Sequence, residues 1–228
     1  SKSEVIVKGQ KLSEFEAKKI LCKAGLPITL ETLVQTAEEA IHFWRKIKKP
    51  IALKISASNL QHKTEIGGVL LDLNDEHRIR EAFNKLSEIA KEISKDSPIE
   101  GILICEMIDN GVETVLGVVK DPVFGPTVMF GLGGIFIEIL KDVTFRVAPF
   151  DVKEAHMMIN EIRGRAILDG VRGAPPVDVD ALAEALSQLS LFAVTNIDNV
   201  DSIDVNPFIV LPRGAKTVSY THLRAHET

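Results

Sequence analysis

The sequence is poor in cysteine and in aromatic side chains. Its 228 residues include two cysteines, one tryptophan and one tyrosine, and aromatic residues make up 5% of the chain. Neither cysteine has a CxxC partner or a histidine at metal-ligand spacing, which argues against a disulfide scaffold and a zinc module. We therefore interpret Cys22, in a predicted helix, and Cys105, in a predicted strand, as reduced core thiols.

The sequence also lacks long hydrophobic runs and an excess of basic residues. No apolar run approaches the ~20 residues that span a bilayer, and no signal peptide opens the chain. The net charge of −5 argues against a protein that binds nucleic acid through a basic surface. We expect a cytoplasmic protein whose partners include neither a membrane nor a nucleic acid.

What the sequence does contain is an alternation of helix and strand patterns. Ser13, with Glu16 three residues later, forms a capping box that predicts a helix over residues 13–24. The turn at Asp109–Gly111 predicts that the strands on either side of it pair antiparallel. Pro207 interrupts the closing strand "VDSIDVNPFIV", which predicts a sheet edge or a functional kink. Hairpins beside helical connections favour a mixed α/β or α+β architecture.

One short segment combines three residue types that handle phosphate. Lys54 lies in the apolar strand "IALKIS", His62 follows in a loop, and Gly67 and Gly68 precede the next strand. A charge in an apolar strand needs a partner, paired glycines let backbone approach a ligand, and imidazole is a nucleophile towards phosphorus. The segment matches neither the Walker pattern nor the dinucleotide-binding fingerprint. Taken singly, these residues are more often a solvated lysine, a simple turn and a structural histidine.

Residues with side-chain oxygens form a second group. Glu106 ends one apolar strand and Glu113 opens the next. Their carboxylates are placed to accept ribose hydroxyls, and the backbone of Glu106–Ile108 to read an adenine edge, unless both are simply exposed charges at strand ends. Asp204 and Asn206 lie two residues apart in a strand and therefore share a face. A carboxylate with an amide oxygen suits Mg²⁺.

In their order along the chain, these motifs resemble the ATP-grasp subunit of ADP-forming acyl-CoA (acetyl-CoA) synthetases, also called acetate–CoA ligases. The resemblance covers about residues 8–218 and is carried by "PIALKI", "HKTEIGGV", "CEMI…GVET", "DPVFGPTVMFGLGGIFIEILKDVTFRVAP", "LDGVRGAPPVD" and "DVNPF". It implies an ATP-grasp fold over residues 1–218, in which two α+β subdomains clasp a nucleotide. The implied subdomains are roughly residues 23–105, and residues 106–218 together with 1–22.

The resemblance also implies a function. Members of the family make ATP from ADP and phosphate, with Mg²⁺, while acyl-CoA becomes free acid and CoA, and the reaction is reversible. A CoA-binding α subunit or fused domain forms the acyl phosphate, so a hetero-oligomer is implied. His62 matches the phosphohistidine, and Asn206, with Asp204, matches the magnesium position. The positions that match nucleotide binding are Lys54, Ser56, Gly67, Gly68, Val69, Glu106, Met107, Ile108 and Glu113.

The chain departs from the family pattern near its end. The family continues into an Asp-Ala-Arg motif whose aspartate completes the magnesium site, whereas this chain has Ser219. Residues 219–228 form an atypical tail in which we suspect a cloning or sequencing artefact. Loss of that carboxylate would weaken nucleotide binding or turnover. Two other functions stay open: a carboxylate–amine ligase of the ATP-grasp class, and a catalytically silent nucleotide-binding module.

Overall fold

The structure is a computed structural model, and it divides the chain into two compact units. The described residues are 3–57, 68–95 and 98–218. The small unit comprises Gly9–Lys19 and Thr29–Asp109, and the large unit comprises Ser1–Lys8, Ile20–Ile28 and Asn110–Thr228. The chain changes unit after residue 109, near the expected boundary after residue 105, whereas residues 9–19 group with the small unit.

Strands and helices alternate through both units. In chain order they are β1 (Glu4–Val7), β2 (Gln10–Lys11), α1 (Glu14–Lys23), β3 (Glu31–Val34), α2 (Ala37–Ile47), β4 (Ile51–Ala57), β5 (Leu70–Leu73), α3 (Glu76–Ile93), β6 (Ile99–Glu106), β7 (Val112–Asp121), β8 (Gly125–Leu132), α4 (Ile135–Glu138), β9 (Val143–Val147), α5 (Val152–Asn160), a 3₁₀ helix (Arg163–Asp169), α6 (Val179–Thr195), β10 (Val200–Val210) and β11 (Ala215–Thr217). Within the described part of the chain, no helix is both long and apolar enough to cross a membrane.

Helix starts follow the capping chemistry of the sequence. The hydroxyl of Ser13 accepts a hydrogen bond from the Glu16 amide at 3.2 Å, so the predicted N-cap is confirmed. Thr36, Asp75 and Asp178 cap their helices in the same way. These bonds satisfy amides that the first helical turn leaves without partners, and they fix where each helix begins.

The small unit is a four-stranded antiparallel sheet with two helices on one face. The strand order is β3-β6-β4-β5. Helices α2 and α3 bury their apolar sides against alternate residues of β4 and β6, among them Leu53, Ile55 and Ile104. Because side chains alternate along a strand, Lys54 and Cys105 lie on the opposite face of the sheet. The first turns of α1 supply the charges that contact this second face.

The predicted hairpin at Asp109–Gly111 is wrong. Strand β6 pairs with β3 and β4 in the small unit, whereas β7 pairs with β10 and β8 in the large unit. Each strand has both edges occupied, so the two cannot pair with each other. Gly111 serves a different purpose: its φ is +113°, and a Cβ there would lie 2.7 Å from the carbonyl oxygen of Val210. The segment connects two units rather than two strands of one sheet.

Strand β10 is not an edge strand, which corrects one of the two expectations raised by Pro207. It pairs with β1, β7 and β11 in the large unit. The register to β7 shifts between Val205 and Phe208, so the prolyl residue, which has no N–H, lies at an irregularity of the ladder. The other expectation, a kink, agrees with this shift.

Two of the motifs that carry the family resemblance have structural roles in the large unit. The buried carboxylate of Asp142, at the end of "GLGGIFIEILKD", accepts hydrogen bonds from the amides of Arg163 and Gly164 at 2.7 and 2.8 Å. It therefore anchors the start of the 3₁₀ helix. In "LDGVRGAPPVD", Gly170 ends that helix with a φ of +89°, and Gly173 follows with a φ of +81°.

These two glycines offer a matched test of backbone crowding. A Cβ at Gly170 would clash with the carbonyl oxygen of Ala174 and lie 3.0 Å from the carbonyl carbon of Pro175, whereas a Cβ at Gly173 meets nothing within 4 Å. We expect Gly173→Ala to lower the free energy of unfolding by about 1 kcal/mol. Gly170→Ala should lower it by about 3 kcal/mol, because the steric clash adds to the strain. Urea unfolding measures both, and equal losses would contradict the crowding.

Candidate functional site

Lys54 is a buried cation with a partly buried partner. It is 6% exposed, so a solvated lysine is excluded. Its ammonium group forms an ion pair with the carboxylate of Glu14, from the first turn of α1. The charge in this apolar strand is therefore paired with Glu14, which lies forty positions earlier in the chain and has a side chain about one-sixth exposed.

A second ion pair lies beside the first on the same sheet face. Lys18 Nζ is 2.6 Å from Glu31 Oε1 and 3.1 Å from Thr29 Oγ1. Burial raises the pKa of Glu31, and the charge of Lys18 opposes that rise. We call Glu14, Lys18, Glu31 and Lys54 the charge cluster. Its two acids and two bases sum to zero charge, which is how charged groups become tolerable in a buried position.

Cys105 lies within electrostatic reach of the whole charge cluster. Burial raises the pKa of its thiol to about 12, and all four charges of the cluster act on it in opposing pairs. The thiol is therefore protonated at neutral pH, as expected for a reduced core cysteine. Cys22 is also reduced but is exposed, so its interpretation as a core thiol is wrong. It occupies the solvent side of α1, whose buried side is formed by Ala17 and Leu21.

The remaining candidates near Lys54 are only partly described. Ser56 is buried, and its hydroxyl donates a hydrogen bond to Glu100 Oε2 at 3.0 Å. Gly68 has a φ of +67°, and among the described residues nothing lies within 4 Å of a Cβ placed there; Val69 is half-buried. His62 and Gly67 lie outside the described residues. Their roles are predictions from the sequence.

Glu106 is not an exposed charge at a strand end. It is 1% exposed, and its carboxylate accepts a hydrogen bond from the Leu30 amide at 3.0 Å. Its own amide donates to the Leu30 carbonyl at 2.9 Å, so Glu106 fixes the chain before β3. Lys49 Nζ lies 3.8 Å from the second carboxylate oxygen. A carboxylate held in this way has a fixed orientation.

Met107 and Ile108 continue the segment as buried residues. The Met107 amide donates to the Pro50 carbonyl at 3.1 Å, and its sulfur accepts from the Asp72 amide at 3.0 Å. The amide of Met107 is therefore used within the small unit, so the predicted adenine contact would require other backbone groups of the segment.

In the large unit, Glu113 is half-buried at the start of β7. Its carbonyl accepts a hydrogen bond from the Gly133 amide at 2.8 Å. A Cβ at Gly133 would lie 3.1 Å from the Glu113 Cβ, so the "GLGG" motif allows a close backbone approach here. The motif thus packs closely against Glu113.

Asp204 and Asn206 line one pocket of the large unit, with a volume of about 330 Å³. Glu4 of β1 lies opposite Asp204 in the register and lines the same pocket. Desolvation, and then the charge of Glu4, raise the pKa of Asp204. Carboxylate and amide oxygens at this pocket fit Mg²⁺, which often takes only one or two protein carboxylates and completes its shell with phosphate and water. No group of three acidic, histidine or cysteine residues with metal-site geometry occurs among the described residues.

Sequence reasoning did not identify Glu14 or Glu4. Glu14 precedes Lys18 by one helical turn, which places both on the same side of α1. That spacing was visible in the sequence, but the strands that these residues contact were not.

Comparison with known proteins gives a consistent assignment. Residues 6–221 match the ATP-grasp domain family. The chain is 38% identical to subunit beta of acetate–CoA ligase [ADP-forming] II of Pyrococcus furiosus, over 94% of this chain and 92% of that one. It superimposes on acetyl-coenzyme A synthetase 1 of Ca. Korarchaeum cryptofilum, in complex with coenzyme A and Ca-AMPCP, with a TM-score of 0.85, 40% identity and coverage of 93% and 92%.

A second structure of the Korarchaeum enzyme contains coenzyme A and Mg-AMPPCP, with its phosphohistidine segment pointing towards the nucleotide-binding site. This chain matches it with a TM-score of 0.77 and 39% identity, over 90% of this chain and 88% of that one. The expected α+β ATP-grasp fold is confirmed. The chain belongs to the ATP-grasp family, among the β subunits of ADP-forming acetate–CoA ligases.

Proposed function

We propose that this chain is the nucleotide-binding subunit of an ADP-forming acyl-CoA synthetase. In the proposed reaction, acyl-CoA, phosphate and ADP give free acid, CoA and ATP, and the reverse reaction also runs. His62 accepts a phosphoryl group that arises on a partner subunit and passes it to ADP. The observation that carries the proposal is the buried, paired Lys54, in the strand directly before the segment that contains His62.

Lys54 fits a role in holding nucleotide phosphates. Phosphoryl transfer requires mainly correct positioning and neutralised phosphate oxygens, and a lysine on a rigid strand supplies a fixed positive charge. Ser56, Gly68 and Val69 follow Lys54 along the chain, and Gly67 belongs to the same proposed group. Glu106, Met107, Ile108 and Glu113 are proposed to contribute to adenine and ribose binding.

The proposed magnesium ligands are Asn206 and Asp204. When bound, Mg²⁺ neutralises charge on the phosphate oxygens of the nucleotide. The oxygens of these two side chains line a common pocket, and burial together with the charge of Glu4 raises the pKa of Asp204. A divalent cation would relieve that unfavourable electrostatic environment.

The proposed partner is a CoA-binding α subunit or fused domain. Support comes from the Pyrococcus furiosus relative, which is named a β subunit and matches nearly the whole chain. The acid and CoA are then bound mainly by the partner, and the working protein is a hetero-oligomer.

The test is reconstitution with a CoA-binding subunit of the same enzyme family. The chain used carries the family ending, Asp-Ala-Arg, restored after Val218, because Ser219 is expected to impair turnover. We expect ATP formation that requires both chains, acyl-CoA, phosphate, ADP and Mg²⁺, and we expect label from phosphate on histidine in this chain. ATP formation by this chain alone, or nucleotide binding without any turnover in the complex, would contradict the proposal. The second outcome would favour a silent nucleotide-binding module, and amide formation with an amine would favour a carboxylate–amine ligase.

A further inference from the structure

The charge cluster assigns a specific partner to Lys54. Helix α1 carries an acid, Glu14, and one turn later a base, Lys18. The sheet face carries a base on β4, Lys54, and an acid on β3, Glu31. The pairs form across the helix–sheet contact, so that each acid meets a base from the other element.

The contact between Glu14 and Lys54 is largely shielded from solvent. The Lys54 side chain is 8% exposed and the Glu14 side chain 16%. Both carboxylate oxygens of Glu14 are shielded from solvent. A lysine has four rotatable side-chain bonds, and a charge-assisted contact at low dielectric selects one arrangement of its ammonium group. Packing alone does not fix so flexible a side chain.

We propose that Glu14 is a positioning residue for nucleotide binding, which holds the Lys54 ammonium group where it meets the phosphates of a nucleoside diphosphate. This inference rests on the proposed function, because it takes Lys54 to be a phosphate-binding residue. It adds a residue of α1, remote in sequence from Lys54, to the residues that determine nucleotide affinity.

A negative charge near a phosphate site also has an opposite effect, because it repels the ligand. Glu31 provides the matched control for this effect. It is a glutamate on the same sheet face and is buried as well, but its ion pair is with Lys18, whereas the ion pair of Lys54 is with Glu14. The variant Glu31→Gln therefore measures the loss of one negative charge from the charge cluster without removing the partner of Lys54.

Calorimetric titrations of ADP and adenosine into the wild type, Glu14→Gln and Glu31→Gln test the proposal. We expect Glu14→Gln to bind ADP about ten-fold more weakly than Glu31→Gln does, because only Glu14→Gln removes the ion-pair partner of Lys54. Adenosine, which has no phosphate, should bind with unchanged affinity. A merely structural role of Glu14 would weaken both ligands together, and a merely repulsive role would tighten ADP in both variants. Either result would overturn the proposal.

A second variant covers the case in which Glu14→Gln does not fold. Glu14→Asp keeps the charge but retracts the carboxylate by one methylene, so we expect weaker ADP binding with unchanged adenosine binding. Unchanged ADP binding in Glu14→Asp would refute positioning by this carboxylate.

The variant Lys54→Met separates the two levels of inference. If Lys54→Met binds ADP like the wild type, the proposed role of Lys54 fails. If Lys54→Met weakens ADP binding but the Glu14 variants do not, only the role of Glu14 fails. In the Lys54→Met background, Glu14→Gln should have no further effect on ADP affinity.

Discussion

ATP formation by the reconstituted complex is expected to fall to background in the variant His62→Asn. Asparagine keeps a polar side chain but has no nitrogen that can attack phosphorus, because its amide nitrogen is not nucleophilic. A phosphoryl group that arises on another subunit then has no carrier to bring it to ADP. Label from phosphate should disappear from this chain, while the affinity for ADP should stay at the wild-type value, because the carrier is not a nucleotide ligand.

The matched control is the same substitution at His77. This histidine lies on α3 with its side chain 81% exposed and is not one of the candidate site residues. We expect His77→Asn to form ATP at the wild-type rate. If His62→Asn also forms ATP at that rate, or if the label is found elsewhere on this chain, His62 is not the carrier.

The largest loss of stability is expected in the charge cluster, for Lys18→Met. Methionine fills much of the space of the lysine side chain but leaves the Glu31 carboxylate buried without its cation. Removing one partner of a buried pair typically costs about 3–5 kcal/mol, far more than the hydrophobic gain from the new side chain. Urea unfolding at pH 7.5 should show this loss. Lys19→Met is the control, because Lys19 is exposed and its pair with Glu16 contributes under about 1 kcal/mol.

The pH dependence of Lys18→Met follows from Glu31. Burial raises the pKa of Glu31 in the folded protein above its value in the unfolded chain. The stability that comes from the protonated Glu31 carboxyl is therefore fully present below the unfolded-state pKa, and it is lost as the pH rises through the raised folded-state pKa. Loss of Lys18 raises this pKa further. The variant should therefore be less impaired at pH 5 than at pH 7.5. The double variant Lys18→Met/Glu31→Leu should recover most of the stability, and a double variant as unstable as the single one would contradict this account.

Local features of the fold could be predicted from the sequence, and pairing between distant elements could not. The cap at Ser13 depends on residues three apart, and its prediction is confirmed. The hairpin at Asp109–Gly111 failed because a turn motif shows only that the chain bends. Whether the strands pair depends on which edges are already occupied, and β6 and β7 have none left. Pro207 allowed two interpretations for the same reason.

The candidate site shows the same division. Lys54 could be singled out because a charge inside an apolar strand needs a partner. That partner, Glu14, could not be named, because the contact arises from the packing of α1 on the sheet. Glu106 looked like an exposed charge at a strand end, and only the fold shows that its carboxylate holds the backbone of Leu30. Burial depends on what the rest of the chain places over a residue, which no local pattern contains.

The crossed pairing of the charge cluster restricts how related sequences can diverge at these positions. Lys18 and Glu31 serve each other, so a lineage can replace both with apolar residues and keep a stable small unit. A change at only one of them would lower the stability of the protein, as expected for Lys18→Met, so the two positions should change together. Lys54 cannot be replaced without loss of its proposed phosphate contact, and Glu14 is then retained with it. We therefore expect the Lys18–Glu31 pair to be absent from some related sequences and the Glu14–Lys54 pair to be retained.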